Sequence, residues 1–128
     1  MIRNLLITHP YKCAVLWALI IFGLCSTPGR FIPTTSWLEL LSFDKWVHAS
    51  IFFVLVILFV LGIVVHKQNS NLIYLVITLA IAYGGLLEIM QAKVFSERSG
   101  DWLDFIANSF GCLMAFIFYK KVIKLIVR

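Results

Sequence analysis

Charge is what this sequence has least of. Only 13% of its 128 residues are charged, six of them acidic and eleven basic, while 62% are hydrophobic and the mean hydropathy is +0.98. A soluble domain of this length could not cover so much apolar side chain with so little polar surface, and the chain reads as an integral membrane protein. Familiar catalytic signatures are missing as well: there is no GxSxG elbow, no HExxH pair and no glycine-rich phosphate loop, which argues against the known hydrolase chemistries. The three cysteines, Cys13, Cys25 and Cys112, lie in apolar runs without CxxC or other metal-ligand spacing. They read as small buried hydrophobes. No internal repeat or low-complexity tract is present. The length suits one domain, 1–128, with about four spans of ~20 residues.

The formal charge is +5 and the pI about 9.3. In a soluble protein this would raise nucleic acid as a partner, but here the basic residues flank apolar runs, so membrane lipid is the expected partner and nucleic acid is not. The runs predict an all-α membrane four-helix bundle with short connections and spans at about 11–26, 45–65, 72–91 and 102–119. Pro10 starts the first span where an amide would be unpaired anyway, and Pro28 with Gly29 stops it. No small-x-small cleavage pattern follows that span, so it is read as a retained helix and not as a signal. Between the first two spans, Trp37, Leu38, Leu40 and Leu41 beside Glu39 predict a segment lying on the membrane surface. Beyond Tyr119, KKVIKLIVR reads as a helical extension settling on a negatively charged membrane face.

Lys and Arg in the short connections set the orientation. The N-terminus, the second turn and the tail hold Arg3, Lys12, Lys67, Lys120, Lys121, Lys124 and Arg128, against Arg30, Lys45, Lys93 and Arg98 on the other side. Both ends are therefore expected in the cytoplasm, in the plasma membrane of a multi-pass protein.

Against this apolar background one stretch stands out. Glu88–Asn108 packs four carboxylates, an arginine, a lysine, a glutamine and an asparagine into the join between the third and fourth spans. A charge at a span's centre costs roughly 2.5–3.5 kcal/mol on insertion scales unless it is paired. In a four-span chain the start of the second helix, the end of the third and the start of the fourth share one membrane face. That brings Asp44, Lys45 and His48 together with Glu88 and Gln91, and with Asp101, Asp104 and Asn108. Asp44 and His48 lie one turn apart. Gly84, Glu88 and Gln91 form one stripe, and Asp101, Asp104, Asn108 and Gly111 form another that descends about 10 Å from Asp101 to Asn108. Gly84 and Gly111 mark where helices three and four approach each other.

Each residue also has a plainer reading. Asp44 and Asp101 are suited to starting their helices. His48 alone would be a packed, hydrogen-bonded histidine. Lys45, Lys93 and Arg98 are suited to headgroup contacts, Arg98 also to pairing with Glu88 or Asp104, and Glu97 to solvent. Glu88 is hardest to explain in this way, because a helix C-terminus disfavours an acid and its neighbours Leu86, Leu87, Ile89 and Met90 are apolar.

The run DKWVHASIFFVL, the helix end Glu88-Ile89-Met90-Gln91, and Arg98, Asp101, Asp104, Asn108 and Gly111 in the spacing Arg-x-x-Asp-x-x-Asp-x-x-x-Asn-x-x-Gly together resemble the VanZ-like family of small membrane proteins. Ser26 with Pro28 is similar to the serine-proline that closes the first helix there. The resemblance covers about residues 22 to 116. It implies a role at the bacterial cell envelope, the family being named for a member linked to low-level teicoplanin resistance. Its matching residues are Asp44, Lys45, His48, Glu88, Gln91, Arg98, Asp101, Asp104, Asn108 and Gly111.

Three functions stay open, beside the plainer reading of the cluster as a structural salt-bridge network in a non-catalytic membrane protein. In the first, an outward-facing enzyme acts on a lipid-linked envelope precursor, with His48 and Asp44 as acid–base pair, Glu88 or Asp104 as a second carboxylate, and Lys45 and Arg98 on a phosphate. In the second, the same residues bind an amphipathic lipid, peptide or antibiotic without catalysis. In the third, the polar stripe is part of a lipid or ion pathway in an oligomer. No metal ligands can be named: Asp, Glu and His around one opening suit a divalent cation, but without fixed spacing they do not identify a site.

Overall fold

His9 and Pro10 divide the N-terminal run into two helices, α1 (Ile2–Thr8) and α2 (Pro10–Ser26), whose axes meet at 105°. Proline lacks the amide that would continue the ladder, and its ring pushes the residue before it out of the helical region. His9 accordingly sits at φ −133°, ψ 52°. The structure is a computed structural model describing residues 1–31 and 43–128. Among the described residues three further helices follow, α3 (Phe43–Val65), α4 (Asn71–Lys93) and α5 (Trp102–Val127), with a single 3₁₀ turn at Gly29–Phe31. The surface segment expected around Trp37 to Leu41 lies outside the described residues.

The expected starts of the four apolar runs hold to within two residues. The differences lie at the ends of the chain: α1 is a helix of its own, and the basic tail continues α5 without a break through Lys120, Lys121 and Lys124. The straight chains of lysine keep helix propensity high there, and the ammonium groups suit the negative C-terminal end of the helix. By length and apolarity α3 and α4 can each cross a membrane, and the bent pair α1–α2 qualifies as a third unit. Four spans were expected; among the described residues only α3 and α4 are single helices long and apolar enough, and a third span arises only if the bent α1–α2 pair counts as one.

α3 is the centre of the fold. It packs against α2, α4 and, most extensively, α5, and buries Phe52, Leu55, Val56, Val60 and Leu61. A helix that is apolar all round belongs in such a position. The outer helices keep large apolar residues on the outside, Leu16 and Leu19 on α2, Leu75, Leu79 and Leu86 on α4, and Leu113, Ile117 and Phe118 on α5. Exposed apolar faces of this extent mark contact with lipid or protein.

Polar ties hold the helix ends. On α1, Arg3 donates to the carbonyls of Ile126 and Val127 at 3.0 and 3.3 Å, placing a cation on the negative end of the α5 dipole. Tyr11 donates to Gln68 and stacks on His66, tying the start of α2 to the α3–α4 turn. Both chain ends therefore lie at one end of the molecule. α5 rises about 37 Å from there to Asp101.

Gln91 has a structural task. It is buried, and its amide donates to the Cys25 carbonyl at 3.1 Å, one of the last four carbonyls of α2, which have no partner inside the helix. Gln91→Leu, close in volume, is expected to lower stability by about 1–2 kcal/mol through the stranded carbonyl. Thermal unfolding in detergent measures this, and an unchanged midpoint would remove Gln91 from the tie between α2 and α4.

Candidate functional site

Antiparallel connection puts the start of α3, the end of α4 and the start of α5 at the end of the molecule remote from Arg3. The hub there is Lys45. Its Nζ donates to Asp44 Oδ2 at 2.9 Å, to Asp101 Oδ2 at 2.7 Å, and to Asp104 Oδ1. One turn deeper, His48 Nδ1 lies 3.0 Å from Asn108 Oδ1, and its Nε2 stands 3.5 Å from Asp104 Oδ2. Glu88, only 8% exposed, accepts from the Asp101 backbone amide through Oε2 at 3.0 Å, while its Oε1 is buried with no hydrogen-bond partner among the described residues.

Local sequence explains how these groups are held. Asp101 caps α5, accepting from the Leu103 amide at 2.9 Å, so the capping reading and the site reading both hold for it. The Lys45 ammonium, together with the Leu103 amide, keeps the Asp101 carboxyl below the usual carboxylate range. Asp44 lies in the first turn of α3, where an acid suits the dipole. Gly100 lets the loop fold back on α4: a Cβ there would stand 2.7 Å from the Glu88 carbonyl and 2.9 Å from Ala92 Cβ. Gly84 leaves room for Asn108 and Phe52.

Of the sequence-derived candidates, Asp44, Lys45, His48, Glu88, Asp101, Asp104 and Asn108 come together in one linked network. Gln91 turns away to α2. Arg98 makes no ion pair with Glu88 or Asp104, whose nearer partners are the Asp101 amide for the first and Lys45 and His48 for the second. The acid–base pair expected of Asp44 and His48 is not formed either. One turn of spacing allows it, but Lys45 draws the Asp44 carboxylate to the rim, and the carboxylate facing His48 is Asp104 from α5. Glu97, expected in solvent, is half-exposed and pairs with Arg30 at 3.6 Å.

The two glycines also part company. Gly84 of α4 meets Asn108 of α5 as expected, whereas Gly111 faces α3, where a Cβ would lie 2.0 Å from the Ala49 carbonyl oxygen. The reason is that α5 packs most closely on α3. A further feature escaped sequence reasoning. Beside the cluster an open groove of about 410 Å³ runs between α4 and α5, lined by Glu88, Asp101 and Lys93 and by apolar Ile89, Ala92, Trp102 and Phe105. Gly85 and Gly100, which also line it, were the available signal.

Four carboxylates thus gather around one ammonium and one imidazole, Glu88 and Asp104 largely buried and Asp44 and Asp101 at the exposed rim, with a mostly apolar groove alongside. No family model matches the chain, and neither a curated protein nor a solved structure matches it, so the VanZ-like resemblance stands on its motif residues alone.

Proposed function

We propose that this chain is an integral membrane protein of the bacterial envelope whose helices form a four-helix bundle across the bilayer. Both ends lie in the cytoplasm, and the polar cluster faces outward and binds the head of a lipid-linked or amphipathic envelope component. The observation that carries this reading is the continuity of the cluster with the groove: Glu88 and Asp101 belong to both. A polar end joined to apolar walls matches a molecule with a polar head and a hydrocarbon tail. The VanZ-like motif residues that form the cluster point to the same envelope setting.

A second reading has its own support. Lys45 meets three aspartates at once, which is how a structural network joining α3 to α5 would be built. Native mass spectrometry of gently purified protein separates the two. Under the binding reading, a lipid retained by the natural sequence is lost from both Glu88→Gln and Asp104→Asn. Equal lipid retention by all three proteins would leave only the structural network.

A further inference from the structure

Hydrogen bonds at the inner end of the cluster leave donor atoms of three side chains facing one another. Asn108 is 1% exposed, and its Oδ1 is 3.0 Å from His48 Nδ1. An amide oxygen only accepts, so Nδ1 is the donor to Asn108, and Nε2 is the ring nitrogen directed at the carboxylates. It stands 3.5 Å from Asp104 Oδ2, longer than the roughly 2.7–2.9 Å to which a charge-assisted hydrogen bond closes. Glu88 brings a buried carboxylate whose Oε1 has no partner among the described residues. One donor atom each from His48, Glu88 and Asp104 lie within 4.8 Å of one another. Two carboxylates brought this close out of water are costly unless a positive centre lies between them. Lys45 is turned to its three aspartates.

We propose that His48, Glu88 and Asp104 bind a divalent first-row transition ion of the Mn²⁺ or Zn²⁺ class. One imidazole with two carboxylates suits such ions. Metal–ligand distances of about 2.0–2.2 Å set neighbouring donor atoms about 3.0–3.5 Å apart, which the His48–Asp104 separation already meets. The outer contacts are those a metal centre needs: Asn108 fixes the histidine tautomer, Lys45 holds the other oxygen of Asp104, and the Asp101 amide holds Oε2 of Glu88. Three protein donors leave a coordination position open. The ion's further role rests on the ligand-binding reading above: the open position would accept a phosphate oxygen of a lipid head, which bare carboxylates would repel. The metal site itself does not depend on that step.

The test uses full-length protein in detergent, stripped with chelator and titrated with Mn²⁺ and with Zn²⁺. One equivalent is expected to bind, with Glu88→Gln, Asp104→Asn and His48→Gln each weakening it at least tenfold, and Asn108→Ala weakening it about 10–100-fold as an outer-shell loss. Electron spin echo on the Mn²⁺-loaded natural chain gives a readout independent of how the variants fold. It is expected to show modulation from one imidazole ¹⁴N, retained in His9→Ala and His66→Ala. Binding well below one equivalent, absence of the nitrogen signal, or equal affinity in His48→Gln would overturn the metal site. Lipid retained by chain that binds no metal would keep the ligand reading and end this one, and metal bound without lipid would do the reverse.

Discussion

Lys45→Met is expected to lower the stability of the detergent-solubilised protein by about 3 kcal/mol, the low end of what breaking a buried ion pair costs. The ammonium is 26% exposed and contacts Asp44, Asp101 and Asp104. Once it is removed, Asp104, at 14% exposure, is left as an uncompensated charge beside buried Glu88. Asp101 is 40% exposed and Asp44 more so, and water screens both, which is why the low end of the range applies. The partner variants set the scale. Asp44→Asn should cost less than 1 kcal/mol as an exposed pair. Combining Lys45→Met with Asp104→Asn should recover part of the loss, because the second change removes the stranded charge. Thermal unfolding of the four proteins reads all of this. A Lys45→Met protein as stable as the natural chain would show that the ammonium is not what holds the acidic residues of α3 and α5 together.

Gly111→Ala is expected to be at least as damaging, beyond the roughly 1–3 kcal/mol usual for overpacking. The three atoms nearest its added Cβ would all be main chain, the Ala49 carbonyl oxygen at 2.0 Å, the carbonyl carbon at 2.8 Å and Cα at 3.0 Å. Main chain has no rotamer to yield, so α3 and α5 must part. Ala49 adjoins His48 in sequence, and Gly111 lies one turn from Asn108, so the same parting pulls at the His48–Asn108 contact. Two other glycines provide the comparison. At Gly84 the nearest atoms are side-chain atoms of Asn108 and Phe52 at 3.2–3.3 Å, which can shift at moderate cost. At Gly23 nothing lies within 4 Å, and alanine should be neutral or stabilising by up to about 1 kcal/mol through helix propensity. The expected order of unfolding midpoints is Gly23→Ala highest, then Gly84→Ala, then Gly111→Ala. If Gly111→Ala melts with or above Gly84→Ala, the close approach of α3 and α5 is wrong.

Much of this was legible in the sequence, for identifiable reasons. Long apolar runs between polar turns fixed where the main helices lie. Antiparallel connection then forced Lys45, Glu88 and Asp104 to one end, whatever the details of packing. What could not be read was which partner each polar residue takes. Spacing fixes the stripe a residue occupies on its own helix but not the rotation of that helix against its neighbours. Thus Asp44 and His48 shared a stripe yet found different partners, and Gly111 was matched to the wrong helix. Gln91 sat in the right stripe but reached a backbone carbonyl of α2, a group with no sequence signature. The helix before Pro10 was missed because seven mixed residues carry too little periodicity to register.

Acidic residues so scarce, and so unevenly placed, also make the molecule an electric dipole along its length. Near Arg3 and the end of α5 lie seven basic residues and no described acid, while around the cluster five described acids, Glu97 included, offset four bases. Moving one elementary charge across a membrane held at 100 mV is worth about 2.3 kcal/mol. In a bilayer with a negative interior, voltage alone would favour the basic end inside and press any mobile cation outside toward Glu88 and Asp104.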